Sequence, residues 1–335
     1  MADVQALFEK FHTNIRTDYD INDTLRDKKD IIVDRVKAHL AKNGRPTCDV
    51  YLQGSYKMHV GICALAGAEF DIDVGLRFSF DDSKYTAAEV RKWVFEAVDG
   101  HTEDVDQKGP CIRVTYKNGY HVDLVSYAWW DDAVGLEQHR LAHRDNGWKP
   151  ADPPALVQWV KDARSPFSDT KDSATQTDQL RRVVRYLKRW NDRAILGESP
   201  DKPSGLALVL LTKKHLSTPA LTWAGMPDDR LAVERVAHAA ANTIGPITAK
   251  KPTPEYEDMF GRLSNAAMTQ LKERFGKLRD AVVDARNASD TKVACKRLRE
   301  VFGDDFPCPD ETKRAGETPM RTKAPAVVPS SSSAA

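Results

Sequence analysis

Residues 70–80 read FDIDVGLRFSF, and their opening alternates with a period of two: Phe70, Ile72 and Val74 on one side, Asp71 and Asp73 on the other. Such a segment folds as a strand with one face in a core, and it then presents both carboxylates on the opposite face, a few ångströms apart. Like charges that close repel and raise each other's pKa unless a cation lies between them. The fold therefore has to supply a sheet with one covered face and a second face able to tolerate a concentrated negative charge.

The surrounding chain fits such a sheet. CDVYLQ at 48–53 reads as a short strand running into Gly54-Ser55, sixteen residues ahead of Asp71. Thr86 and Glu89 form a capping box, and a helix follows to Val98. CIRVTY and YHVDLVSY flank Lys117-Asn118-Gly119, and Asn-Gly is the strongest short hairpin signal. Within YHVDLVSY, Asp123 sits between Val122 and Leu124 and so projects from the face opposite to theirs. Upstream, residues 20–43 carry Ile31, Ile32, Val36 and Leu40 at helical spacing, with Gly44 as the stop.

From about residue 153 the texture is helical. Periodicity and breakers predict helices over roughly 154–163, 175–193, 204–216, 230–242, 257–286 and 289–302. The expected class is α+β: residues 1–150 hold an N-terminal helix and a mixed core, residues 151–306 a helical lobe, and residues 307–335 a Pro- and Ser-rich disordered tail.

Fifty Lys and Arg balance 49 Asp and Glu, which excludes a whole-protein basic field for nucleic acid. No apolar run approaches the roughly 18 residues of a membrane span, and the N-terminus lacks an apolar signal region. A cytoplasmic protein is expected, with no membrane partner and no strong nucleic-acid binding. The five cysteines form no CxxC, and reduced thiols are the simplest expectation.

Oxygen-only ligands on a strand suit Mg²⁺, with Mn²⁺ as a substitute. Asp71, Asp73 and Asp123 together have the donors for two such ions. The conjunction of a Gly-Ser turn after one strand, an acid pair on the next and a third acid on a hairpin strand separates this set from a solvated D-x-D. His139 and His143 have a spacing used by zinc sites, but no cysteine or acid pattern completes one. Lys57 is open between phosphate contact and plain solvation. Trp129 and Trp130 read as core, and Trp148 as a pin for the connection to the helical half. In the helical half, Arg181, Arg185 and Lys188 share one helix face, and Ser204 is a plausible N-cap.

LQGSYKMHVG, EFDIDVGL and HVDLVSY together resemble the nucleotidyltransferase superfamily with a polymerase-β-like core, and within it the bacterial cGAS/DncV-like enzymes (CD-NTases) of CBASS anti-phage systems. The resemblance implies a bilobed enzyme that joins nucleoside triphosphates, ATP, GTP or others, into a cyclic di- or trinucleotide second messenger sensed by a downstream effector. It implies Asp71, Asp73 and Asp123 as catalytic metal ligands. It also implies Gln53, Gly54 and Ser55 at the donor triphosphate, joined by Lys188 in RYLKRWND and Ser204 in KPSGLALVLL. The tail ending at Ala335 would suit a ubiquitin-transfer-like partner. Two alternatives stay open from the residues: a nucleotidyltransferase with another acceptor (a linear oligoadenylate, RNA, a small molecule or a protein), and a nucleotide-binding regulator without turnover. Replacing Asp71→Asn together with Asp73→Asn is expected to abolish product and leave the apo fold as stable as wild type or more so, because two repelling charges are removed. Product assays beside thermal melts of the same preparation check this.

Overall fold

A computed structural model describes residues 3–17, 23–65, 70–117 and 119–309, without the side chains of 23–26, 70 and 71. The expected disorder of the tail from 310 onward therefore lies outside the described residues, as does Asn118 of the hairpin turn.

The chain opens with α1 (Gln5–Ile15) and α2 (Asp23–Lys42), then alternates through β1 (Cys48–Leu52), α3 (Gly54–Lys57), β2 (Phe70–Ser79) and α4 (Ala87–Val98). Five strands follow: β3 (Asp104–Gln107), β4 (Ile112–Tyr116), β5 (Tyr120–Asp131), β6 (Glu137–His143) and β7 (Gly147–Pro150). The rest is helical: α5 (Pro153–Ala163), α6 (Gln179–Ala194), α7 (Gly205–His215), α8 (Asp229–Ala241), α9 (Asn265–Asn287) and α10 (Thr291–Phe302). The fold is thus α+β, with a mixed sheet and C-terminal helices.

One sheet runs β1-β2-β5-β4-β3, with β6 beside β5 and β7 beside β6. β2 and β5 are parallel, in the register Phe70↔Tyr120 to Ser79↔Trp129. A parallel pair needs a crossover, and α4 with β3 and β4 supplies it. β5 is long enough to fork: its first half takes β4 on its other edge, its second half takes β6. Ile72, Val74, Leu76 and Phe78 of β2 join Val122, Leu124 and Ala128 of β5 in a core covered by Ile32, Val36 and Leu40 of α2 and Val90, Trp93 and Val94 of α4. Asp73 and Asp123 are left on the other face, as the alternation requires.

Local chemistry sets the helix starts. The Thr86–Glu89 capping box is formed in both directions. In the helical half, Asp152, Asp178, Ser204, Asp228, Ser264 and Asp290 each accept a hydrogen bond from the backbone N–H three residues on. Two helices expected from 175 and 257 consequently begin later, at Gln179 and Asn265, where Asp178 and Ser264 provide the caps.

Three expectations are corrected. The helix expected over 20–43 is α2 and does cover the sheet, but the residues ahead of it, assigned to the same 1–150 unit, form α1 and do not join that core: Phe8 and Phe11 sit among Tyr186, Phe302 and Phe306 in the core of the helical half. Phe8, Phe11 and Ile15 are fully buried there, while the sheet core is already covered by α2 and α4. The cysteines are not all reduced, since Cys295 of α10 is bonded to Cys308. That bond also holds residues 307–309, assigned to the tail, against the helical core. Trp148 does not pin the connection to the helical half: its indole N–H donates to the Tyr85 carbonyl at 2.9 Å, tying β7 to the start of α4. Among the described residues no helix is long and apolar enough to cross a membrane.

α1 is fixed to α6 by a buried histidine. Arg185 donates through Nη1 to His12 Nε2 at 2.6 Å, so Nε2 must be the unprotonated acceptor. Burial, reinforced by Arg185, pushes the His12 pKa down to about 2. The folded pKa lies below the unfolded value of 6.5, so the stability is complete above pH 6.5 and is lost as pH falls from there toward 2. The loss from this one group is at most about 1.4 kcal/mol per pH unit. His12→Gln keeps an acceptor for Arg185 but does not titrate. Urea unfolding at pH 7 and pH 5 is expected to show a smaller loss of stability on acidification in the variant than in wild type.

Candidate active site

The parallel register places Asp71 opposite His121 and Asp73 opposite Asp123 on adjacent strands. The Asp71 backbone is thereby located, while its side chain lies outside the described residues. Asp73 and Asp123 project from the same face, the one away from the sheet core.

The Gly-Ser turn is built onto Asp73. Gln53 donates its backbone N–H to the Asp73 carbonyl at 3.2 Å, carrying the β1–β2 ladder one step past β1. Gly54 then turns with φ +65°, and a Cβ there would overlap Asp73 Oδ2. Glycine is required twice, by the left-handed backbone and by the carboxylate lying against it. Ser55 follows in α3, half-buried, and its carbonyl accepts from the Val60 N–H at 3.0 Å. The Gln53 side chain faces along the sheet, where its Oε1 accepts from the Tyr127 hydroxyl at 3.0 Å. Lys57 is exposed.

α6 holds the segment after α3. Arg185 donates to the carbonyls of Gly61 and His59 at 3.0 and 2.8 Å, Lys188 to Val60 at 3.2 Å, and Arg189 to Cys63 at 2.7 Å. The expected basic face is therefore a set of struts. Arg181 belongs to it only in part, since its Nε turns back to cap residue Asp178 at 2.7 Å. The Lys188 stem runs beside Gly205, where a Cβ would lie 3.2 Å from its Cε. Ser204 is the N-cap of α7, its hydroxyl accepting from Ala207 N–H at 3.1 Å. Lys188 and Ser204 are thus brought together at the start of α7.

Asp123 is buried and has a partner that the sequence reading missed. Arg113, across the β4–β5 ladder, donates Nε to Oδ1 and Nη2 to Oδ2, each at 2.8 Å, and Nη1 to Glu198. Burial opposes this guanidinium's charge, but its carboxylate partners outweigh it and hold its pKa above the ordinary range. Cys111, free and buried, adjoins the same carboxylate. Burial first, and then Asp123, pushes its thiol far up, so it stays protonated and is no nucleophile. Burial likewise raises Tyr127 against its bond to Gln53, with Asp73 adding to the rise.

His139 and His143 lie on β6, opposite Trp129 and Gly147, and among the described residues no group of three His, Cys, Asp or Glu is assembled around a common point. The described part of the acidic site, Asp73 and Asp123, nonetheless suits a hard divalent cation. Its donors are all oxygen, they come from paired strands, and Asp123 already carries a cation in the form of Arg113.

Residues 48–127 match the family profile described as "Cyclic GMP-AMP synthase DncV-like, nucleotidyltransferase domain". The chain carries a DncV-like nucleotidyltransferase domain. A cyclic GMP-AMP synthase of Escherichia albertii is 27% identical over 180 residues, which are 50% of this chain and 38% of that protein's own length. The fold extends the likeness beyond the DncV-like domain. Vibrio cholerae DncV in its apo form superposes with a TM-score of 0.71 at 15% identity, over 90% of this chain and 96% of the other. The Bradyrhizobium diazoefficiens CD-NTase CdnG in complex with GTP gives 0.67 at 16% identity, over 89% and 95%.

Gly54→Ala is expected to lower turnover of the DncV-like domain by at least about a hundredfold, because the added methyl displaces the Asp73 carboxylate by the order of an ångström. The left-handed backbone costs about 1–2 kcal/mol for a non-glycine residue, so the fold is retained. Circular dichroism beside a product assay separates the two effects.

Proposed function

We propose that this protein is a cyclic oligonucleotide synthase: it joins nucleoside triphosphates, ATP or GTP among them, into a cyclic di- or trinucleotide and releases pyrophosphate. The observation that carries the reading is Asp73 set opposite Asp123 on parallel strands with the Gly54 turn seated on Asp73. The GTP held by a relative of the same fold and the name of the Escherichia albertii relative support the substrate class.

In this reading Asp71, Asp73 and Asp123 hold two Mg²⁺ ions. Bound there, the ions would lower the pKa of an attacking ribose hydroxyl and neutralise charge on the triphosphate. Gly54 and Ser55 offer backbone N–H and hydroxyl donors to the donor triphosphate, and a glycine lets the phosphate approach the backbone. Lys188 and Ser204 close the same site from the helical side, the lysine as a point charge at the N-terminus of α7. Arg185 and Arg189, by gripping the carbonyls of His59, Gly61 and Cys63, keep the segment after the turn in place when a substrate arrives. No histidine or cysteine nucleophile is needed, and the raised Cys111 thiol offers none. Catalysis is then positioning and electrostatics. A role in antiviral signalling, with an effector that senses the product, belongs to the same proposal.

Incubation with labelled ATP, GTP, CTP and UTP and Mg²⁺ tests it. The expected product accompanies pyrophosphate release and resists phosphatase, because a ring has no terminal phosphate. A product shortened by phosphatase would assign the chain to a linear or acceptor-modifying transferase, and the absence of pyrophosphate would overturn the reading.

A further inference from the structure

The third carboxylate of the site is already neutralised. Both oxygens of Asp123 accept from the Arg113 fork, and the remaining Arg113 nitrogen, Nη1, reaches Glu198 in the loop between α6 and α7. The pair is enclosed, with 15% of the Arg113 side chain and 9% of the Asp123 side chain exposed, so solvent screens it little. Glu198 is 71% exposed and marks the outer end of the chain of contacts.

Two consequences follow for a divalent cation. A carboxylate has about four lone-pair sites and a bidentate arginine takes two, so Asp123 keeps acceptor capacity and its plane is fixed by the fork. The arginine's charge also cancels one of the negative charges that would draw a bare cation to the acidic cluster. The polyphosphate of a nucleotide would restore that negative charge at the moment it enters.

We propose that Arg113 is a positioning residue that sets the order of loading: it orients Asp123 and suppresses tight binding of a bare divalent cation, so that the metal enters with the nucleoside triphosphate. The inference rests on the functional reading above, but its readout is metal affinity and not turnover. An ion pair with a purely structural role would affect unfolding without raising the affinity for a metal.

The experiment titrates Mn²⁺ into the full chain, following free Mn²⁺ by electron paramagnetic resonance, with and without a non-hydrolysable GTP or ATP analogue. Wild type is expected to bind Mn²⁺ weakly alone and much more tightly with the analogue. Arg113→Gln is expected to bind Mn²⁺ alone at least about tenfold more tightly than wild type, since a nearby positive charge has been removed in a poorly screened site. That gain should vanish in the double variant with Asp123→Asn. An affinity in Arg113→Gln equal to or below wild type would overturn the proposal. Should Arg113→Gln fail to fold, Glu198→Gln is the substitute, because its exposed side chain puts no core at risk. It leaves the full guanidinium charge on Asp123 and is expected to weaken Mn²⁺ binding about threefold, and unchanged or tighter binding would overturn the proposal. Absence of pyrophosphate from wild type would sink the functional reading alone, whichever way the metal titration runs.

Discussion

The parallel pairing of β2 with β5 is the constraint from which the site derives. Because the two strands run the same way with Asp73 level with Asp123, carboxylates fifty residues apart stand side by side on one face. The same pairing demands a crossover, which the chain makes with α4, β3 and β4, and that crossover delivers Arg113 to the opposite edge of β5. A slip of one residue would bury the acids and expose Ile72 and Val122, so the apolar face enforces the acidic face. Gly54 is tied into this arrangement through Asp73, since no other residue leaves room for the carboxylate.

α6 is the second organising element. Its buried Arg182 makes a two-bond fork to Asp229 at 2.7 and 2.8 Å, and its Tyr186 hydroxyl reaches the same carboxylate at 2.9 Å. These bonds join α6 to α8 inside the helical core, where an unpaired charge would be costly. From that fixed position Arg185, Lys188 and Arg189 project to the carbonyls of residues 59–63. The result is a mechanical link: the helical half grips the chain just after the Gly-Ser turn and so helps set where that turn sits. Charges on a surface face could not do this, because their mobile side chains would not hold a backbone in register.

Much of the site was legible before any coordinates. Read as a strand, residues 70–80 are expected to carry Asp71 and Asp73 on one face, and Asp123 between Val122 and Leu124 is expected on the matching face of its own strand. The Thr86–Glu89 capping box is a local device whose chemistry does not wait for tertiary contacts, and the strands expected on either side of 117–119 pair as β4 and β5. What escaped was non-local. β6 and β7 carry EQHRLAH and GWKP, whose mixed polarity gives no strand pattern, and they are strands because β5 extends beyond β4 and offers them an edge. Arg113 within CIRVTY looks like any outward-facing strand arginine, and only the β4–β5 register shows that it faces Asp123.

The sequence by itself therefore determined which residues carry negative charge, on which strand face Asp73 and Asp123 fall, and which side chains cap the helices, though two helices start later than their pattern predicts. Those are consequences of backbone period and of side-chain-to-backbone bonds within a few residues. The tertiary structure alone decided that α1 joins the helical core, that Cys295 meets Cys308, that the α6 cations are struts, and that a guanidinium neutralises Asp123. Each of these depends on a contact between segments tens to hundreds of residues apart or on a partner chosen among many of the same chemical type. Local pattern holds no record of that choice; it is made when the apolar faces find one another and the polar groups left inside take the partners within reach.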